Sequence, residues 1–483
     1  KSILKKMLRK FINPILFLPL ALLITNPKAL LSEQKNPIDE IIEETENRIF
    51  IDFKEIEAII SNNEELKSLK ELENSSNFNL SSKISQKYPS IDLQAIGLPQ
   101  YTAGKNYNSN SLTTKTSQFS ANPSITIRWD LIDPLRGYEI KIAKDNYKIA
   151  QNNFEIKRRD LIKDARARYH SYQKSFQDIE NKKIALDLSI KSLENAQSKL
   201  EAGIGTKFEI LEAEAQLSRD KQSLNEKKIE HEINKISLKE ILNIKGDFII
   251  NNEQKLMGFW KHKLNKNLIT GLEKNLSLEN LNLQKKIRNN QANTFLNAQK
   301  PTLYISNTFS SAFTKGEAST LSIDPGESAS SYTNTIGLNL SWNIFDGGQN
   351  KNSYKASKAQ EKSEVFSYNN LKNLLQANIR KAYLNLKLNE EKILSSVKEV
   401  SSTKESLRLA RLRYDVGIST MKDVLVRQKE LSDAKSNQIN AIYNYNLNLD
   451  ELERLTFLEM SKNCSDNKNN KIKDKESICN IPI

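Results

Sequence analysis

Glycine and proline are scarce in this chain of 483 residues, with 14 and 11 occurrences. Hydrophobic residues reach only 38% and charged residues make up 27%. A chain this long has room for about three ordinary domains, but this content argues against compact ones. It favours elongated helices with wide solvated faces over a thick apolar core. Histidine occurs three times, at His170, His231 and His262, without the spacing of a zinc site, so no metal site is expected. No G-x-S-x-G, P-loop or dinucleotide fingerprint is present either. The sequence therefore predicts no enzyme, no cofactor and no nucleotide site, and any energy for its work has to come from a partner. After the N-terminus no run of 18 apolar residues occurs, which excludes a downstream transmembrane helix.

Charge of one sign is also missing as a patch. The net charge is +14, yet Lys and Arg alternate with Asp and Glu along helical faces everywhere except the N-terminus. Nucleic acid is accordingly not an expected partner. The only two cysteines, Cys464 and Cys479, lie in a Lys/Asn/Asp-rich tail over 459–483 that reads as disordered. In an exported protein they either pair or stay free, and no function depends on which.

The N-terminus reads as an export signal over 1–31. Lys1, Lys5, Lys6, Arg9 and Lys10 precede an apolar run from Phe11 to Ile24, which Pro14 and Pro19 interrupt. A retained anchor is the alternative. No clean small-x-small cleavage site stands between Thr25 and Ser32, and no cysteine near it offers a lipid attachment point.

What the chain does have is an internal duplication. Gly203 stands in Leu200-Glu-Ala-Gly-Ile-Gly-Thr206, and Gly417 in Tyr414-Asp-Val-Gly-Ile-Ser-Thr420, 214 residues later. At that offset Leu193, Ala196, Ile204, Thr206, Leu211 and Leu217 meet Leu407, Ala410, Ile418, Thr420, Leu425 and Leu431. Glycine enters the left-handed region freely just past a helix end. Thr206 and Thr420 are N-caps for the returning helices, and Glu209 and Asp423 complete capping boxes, the aspartate as a shorter and imperfect version. Each glycine thus marks a tight turn between two long helices.

Around those hairpins the texture alternates. Pro89–Ala95 and Ser124–Leu131 have period two, with Ile125, Ile127, Trp129 and Leu131 on one face. Pro301–Ser306 and Thr335–Ile344 repeat the pattern, with Ile336, Leu338, Leu340, Trp342 and Ile344 on one face. Each pair encloses a polar loop and feeds a long helix. Steps of three, four and seven link Tyr147 to Leu200 in the first, through residues such as Leu186 and Leu193. The same steps link Leu375 to Tyr414 in the second. Some 65 helical residues span roughly 100 Å. Returning helices run from Thr206 to about Ile244 and from Thr420 to about Leu458. Stripes this narrow ask for partner helices, as in a coiled coil.

Strands with one apolar face and polar loops fit a membrane barrel with a polar interior, and four of them cannot close one. The smallest workable barrels have about eight strands, so two chains are a minimum and three supply about twelve. A soluble hairpin layer on helices is the alternative. The partition is a signal over 1–31, N-terminal helices over 32–88, strand pairs over 89–133 and 301–346, hairpins over 134–246 and 347–458, and a connecting segment with equatorial helices over 247–300.

In this order and spacing the elements resemble the TolC-type outer-membrane efflux proteins, from about residue 50 to 458. The resemblance rests on the two-fold repeat, the Pro-started strand, the Trp-x-x-x-Asp strand ends (Trp129 to Asp133, Trp342 to Asp346) and the twin glycine turns. Gly347-Gly348 looks like the family's strand-to-helix junction, from which Pro134-Leu135 departs. The resemblance implies a mainly α fold with a small transmembrane β-barrel. It further implies a homotrimer whose twelve-stranded barrel in outer-membrane lipid is continued by an α-helical periplasmic tunnel. It also implies a passive duct for efflux or type I secretion, partnered by a periplasmic adaptor (a membrane fusion protein) and an energised inner-membrane transporter. The tip turns at Gly203, Ile204, Thr206, Gly417, Ile418 and Thr420 would then dock the adaptor. Glu209 and Asp423 would ring the aperture, and Tyr414 would take the place of the gating tyrosine. Ser419 stands where one known member of the family has an arginine, and Val426 where that member has a second aperture acid, so closure and cation selectivity are expected to differ. A capping role for the two acids is compatible with a place at the lumen. A coiled-coil envelope scaffold and an adaptor-independent porin are the alternatives to a duct.

Overall fold

The computed structural model describes residues 49–107, 113–252, 255–317 and 328–460. The export signal, the two cysteines and nearly all of the polar tail lie outside them. Contacts divide the chain into two units. The smaller takes the chain to Phe50 together with Gly246–Ile249. Strand β1 (Ile49–Ile51) and strand β4 (Phe248–Ile250) form a two-stranded sheet.

The larger unit carries the duplication. A 3-10 turn at Phe53–Glu55 leads into α1 (Ile56–Ile60) and α2 (Glu64–Ser85). Strands β2 (Ser90–Tyr107) and β3 (Thr113–Ile132) then feed α3 (Arg136–Glu201), which returns as α4 (Lys207–Leu242). Helices α5 (Leu264–Glu273) and α6 (Leu276–Asn297) connect to the second repeat. There β5 (Thr302–Glu317) and β6 (Ser328–Ser341) feed α7 (Gln349–Asp415), which returns as α8 (Met421–Thr456). The long helices have 66 and 67 residues and both return helices have 36. At 1.5 Å per residue those are roughly 100 Å and 54 Å. A return helix therefore accompanies only about half of its outgoing partner. The remaining halves find partners in α2, against α3, and in α6, against α7 and α3.

The four long strands form one antiparallel sheet in the order β2-β3-β5-β6. They extend well beyond the alternating segments, because Ser, Thr and Asn continue the ladders without an apolar face to advertise them. In β2 the register shifts between Ile96 and Gln100 around Gly97. Pro99, which has no N–H to donate, sits there on an edge strand. The second strand pair ends earlier than its alternation implies. Ser341 pairs with Thr302, and no partner lies beyond it. Trp342 and Ile344, expected in the strand, follow it instead.

The main core lies where the second hairpin meets α5 and α6. Ile379, Leu386 and Ile393 of α7 pack with Ile442, Tyr445 and Leu449 of α8 and with Trp260. Gly271 lets α5 approach closely, since a Cβ there would stand 2.6 Å from Ile379 Cδ1 and 3.0 Å from Leu455 O.

Candidate functional site: the paired hairpin tips and the one-sided sheet

Both tip turns close as the sequence spells them. Gly203 and Gly417 have φ of +74° and +79°, in the left-handed region. The amides that follow reach back over the helix end, Ile204 N–H to Lys199 O at 3.0 Å and Ile418 N–H to Arg413 O at 2.8 Å. These bonds satisfy carbonyls that a helix C-terminus leaves open. The turns differ two residues later. A Cβ on Gly205 would lie 2.7 Å from Leu200 N, whereas Ser419 occupies the equivalent place in the second turn. That turn is slightly wider: Ser419 N–H reaches Arg413 O at 3.2 Å, against 2.9 Å for Gly205 N–H to Lys199 O.

Reciprocal capping boxes start both return helices, Thr206 with Glu209 and Thr420 with Asp423. The expectation that the aspartate makes an imperfect box is corrected here. Its carboxylate accepts the Thr420 N–H at 3.3 Å, and Ser419 Oγ donates to it at 2.7 Å. Ser419, two residues past the glycine, thus adds a further hydrogen bond to the shorter acid. The Ser419 hydroxyl first, then the Thr420 amide and hydroxyl, hold the Asp423 carboxyl below its ordinary range.

Tyr414 is only 3% exposed and packs with Ala196, Leu407, Met421, Val424 and Leu425. This cluster draws residues from both repeats, so the two tips lie together within one chain. The Tyr414 hydroxyl has no hydrogen-bond partner. Burial first, then Glu209 and Asp415, pushes its pKa up to about 12. Lys199 of α3 donates to Tyr414 O and lays its ammonium 3.6 Å from the ring centroid. Higher up, polar bonds join α3 to α8: Gln428 Nε2 to Ser192 Oγ at 2.6 Å and Asn181 Nδ2 to Ser432 O at 2.9 Å.

Sequence reasoning missed Lys199, Gln428, Asn181 and Ser432. It placed the lower α3 seam on Leu186, Leu193 and Ala196; Ala196 is buried, but its buried neighbours along the seam are Ala185, Ser189 and Ser192 in place of the two leucines. The spacing of four, three and four from Ala185 to Ala196 was the available signal, and small side chains let the helices approach. Around the tip, Ile204 (76%), Ile418 (71%), Phe208 and Val416 stand exposed. Glu209 is half-buried and Asp423 exposed.

At the other end of the long helices the sheet shows two chemistries. Ile125 faces Phe309, Trp129 faces Ile305, and Ile305 faces Leu338. Ile127, Ile336 and Leu340 continue this apolar, solvent-exposed face. On the opposite face, Thr126 and Thr308 hydroxyls meet at 3.2 Å, and Asn339 Nδ2 donates to Ser306 Oγ at 2.9 Å. Arg128 bonds Asp130 at 2.9 Å and lies 3.9 Å over the Tyr304 ring. The two tryptophans do the same work in each repeat. Trp129 Nε1 donates to Lys87 O at 3.0 Å and Trp342 Nε1 to Gln299 O at 2.7 Å. Asp133 and Asp346 then turn the chain into its helix by accepting the N–H two residues on, at 2.8 and 2.9 Å. Among the described residues no helix is long and apolar enough to cross a membrane, and no group of three or more His, Cys, Asp or Glu could hold a metal ion.

A duplicated unit of strand pair and long helical hairpin, with a sheet apolar on one face and polar on the other, defines the channel-tunnel class of outer-membrane proteins, in which a barrel continues into a helical tunnel. The chain belongs to the outer membrane efflux protein family, whose sequence model matches residues 56–243 and 272–456, one segment for each repeat. It resembles the CmeC outer membrane channel of Campylobacter jejuni at 17% identity and a TM-score of 0.69, covering 94% of this chain and 96% of that one. It also resembles the outer membrane protein VceC of Vibrio cholerae, at 14% identity and a TM-score of 0.68 over 84% and 96% of the two chains. For CusC the values are 14% and 0.71 over 85% and 93%. At these identities the likeness is one of fold. None of the curated proteins matches the chain by sequence. The chain is a transport protein of the cell outer membrane that extends into the periplasm.

Proposed function

We propose that this chain is one subunit of a homotrimeric exit duct, a passive outer-membrane component that a periplasmic adaptor opens at its tip and an energised inner-membrane transporter supplies. The observation that carries this reading is the sheet. Among the described residues its order leaves β2 and β6 as unpaired edges, and open edges are not tolerated in lipid. Other copies must supply the missing strands, and three copies give about twelve, within the range of barrels that close. The far end supports the rest of the reading. Exposed Ile204, Phe208, Val416 and Ile418 offer an apolar docking surface on two rigidly capped turns. Cargo, whether drug or polypeptide, is chosen upstream by the transporter.

Purified full-length protein in detergent should give three-fold particles that cross-link to an adaptor through cysteines placed at positions 204 and 418. Its deletion should abolish export of the partner transporter's substrate. A two-fold or monomeric particle, or a steadily open pore indifferent to the adaptor, would remove the duct reading in favour of a porin. A coiled-coil scaffold would be indicated by a protein that is absent from the outer membrane.

A further inference from the structure

Away from both tip and sheet, a cavity of about 300 Å³ opens between the 3-10 turn after β1, α3 and the segment that follows β4. Phe53, Tyr169, Leu256 and Met257 wall it, with Arg166 and His170 among its polar lining. His170 is 1% exposed, and neither of its ring nitrogens has a hydrogen-bond partner. Asp450 Oδ2 approaches its Nε2 only to 3.4 Å and is itself without a hydrogen bond. Arg166 spends Nη1 on Asp450 and Glu453 but leaves its buried Nε–H unpaired. Phe53 stacks on His170 at 5.4 Å and stands edge-on to Tyr169 at 5.6 Å, so the aromatic wall adjoins these unpaired atoms.

Unpaired buried donors and acceptors are costly, and native structures meet them with water or a ligand. A cavity at the lower end of ligand-pocket volumes, with more apolar than polar surface although Asp52, Lys54, Glu57 and Lys255 also line it, has the physical character of a small-molecule site. We propose that it binds a small hydroxyl-bearing aromatic molecule, with the ring against Phe53 and Tyr169 and the hydroxyl at His170 and Arg166. The choice of chemistry follows from the unpaired atoms. The Arg166 Nε–H needs an acceptor, and an imidazole offers one nitrogen of each kind, so one group that both donates and accepts satisfies them. A carboxylate accepts the Nε–H but brings no proton for the accepting nitrogen of His170 or for Asp450 Oδ2, and an ammonium has nothing to accept the Nε–H.

The test is equilibrium dialysis of the full chain in detergent against 2-naphthol and, separately, naphthalene. 2-Naphthol should saturate at one molecule per chain and bind at least about tenfold more tightly than naphthalene, which leaves the polar atoms unpaired. His170→Leu should remove that preference. Met257→Trp, at a half-buried wall position, should abolish saturable binding while leaving the polar residues intact, and it serves should His170→Leu fail to fold. Partitioning of 2-naphthol into micelles without saturation, equal binding of naphthalene, or wild-type binding by Met257→Trp would each overturn the site. The duct reading stands or falls separately, on particle symmetry and adaptor cross-linking.

Discussion

Tyr414 carries the most information per residue, because its surroundings separate two roles for one side chain. A tyrosine that latches the tip through its hydroxyl would lose the latch as phenylalanine. Here the hydroxyl is buried without a partner, while the ring fills a cluster shared by both repeats. Tyr414→Phe should therefore be neutral or slightly stabilising, and single-channel conductance should stay unchanged. Tyr414→Ala should cost about 3–5 kcal/mol as a cavity and loosen the tip, seen as more frequent spontaneous opening. An open pore in Tyr414→Phe would restore the hydroxyl to the gate.

Asp423 supports a second prediction at this scale. Its folded pKa lies below the ordinary 3.8, so its cap is fully present above that value and is lost as pH falls through the lower folded one. Asp423→Asn should blunt the acid-side fall in thermal midpoint relative to wild type. The family resemblance implies that this carboxylate also rings the aperture, and on that reading Asp423→Ala lowers cation selectivity. An unchanged reversal potential would leave it a cap alone.

At the scale of elements, the two turns are the same device built with different clearance. Gly203 and Gly417 have open space where a Cβ would go, so substitution there costs only the left-handed conformation, about 1 kcal/mol for alanine. Gly205 has the opposite problem, with backbone atoms of Lys199 and Leu200 inside contact distance. Gly205→Ala should accordingly destabilise the first hairpin by about 1–3 kcal/mol, more than Gly203→Ala. Chemical denaturation of the two variants would check that order, and equal midpoints would contradict it. Gly417→Val should weaken adaptor-dependent export more than trimer assembly. Normal export with normal adaptor cross-linking would count against a docking role for that turn.

At the scale of the whole molecule, the sheet is the part that cannot exist alone. Its apolar face, polar face and open edges make sense only in a shared wall between lipid and water. Leu338→Arg puts a charge on the apolar face at a cost of about 2–4 kcal/mol near the bilayer midplane. The variant should reach the envelope but show a reduced yield of heat-resistant trimer, while Thr308→Arg on the polar face should be tolerated. Equal trimer yields would argue against the assignment of faces. The long helices pose the complementary case. Helix α3 buries Asn, Ser, Gln and Asp along with its apolar residues, so its packing is specified by paired polar groups as much as by area.

The sequence by itself determined whatever repeats with a short period or depends on backbone conformation. Glycine past a helix end, threonine three residues on and an acid three beyond that specify a turn wherever they occur. Alternating apolar residues likewise specify a strand with two faces, and four such strands rule out a closed barrel from one chain. Tertiary structure decided what depends on residues distant in the chain. Around Ala196, which the sequence already put on the lower α3 seam, it replaced Leu186 and Leu193 with Ala185, Ser189 and Ser192, because helix spacing is set jointly by both partners. It ended the last strand at Ser341 where its partner runs out, and buried Tyr414 between two tips. The seam and the burial of Tyr414 depend on pairwise geometry across some two hundred residues, and the strand end on a partner some forty residues away, none of which a local pattern encodes.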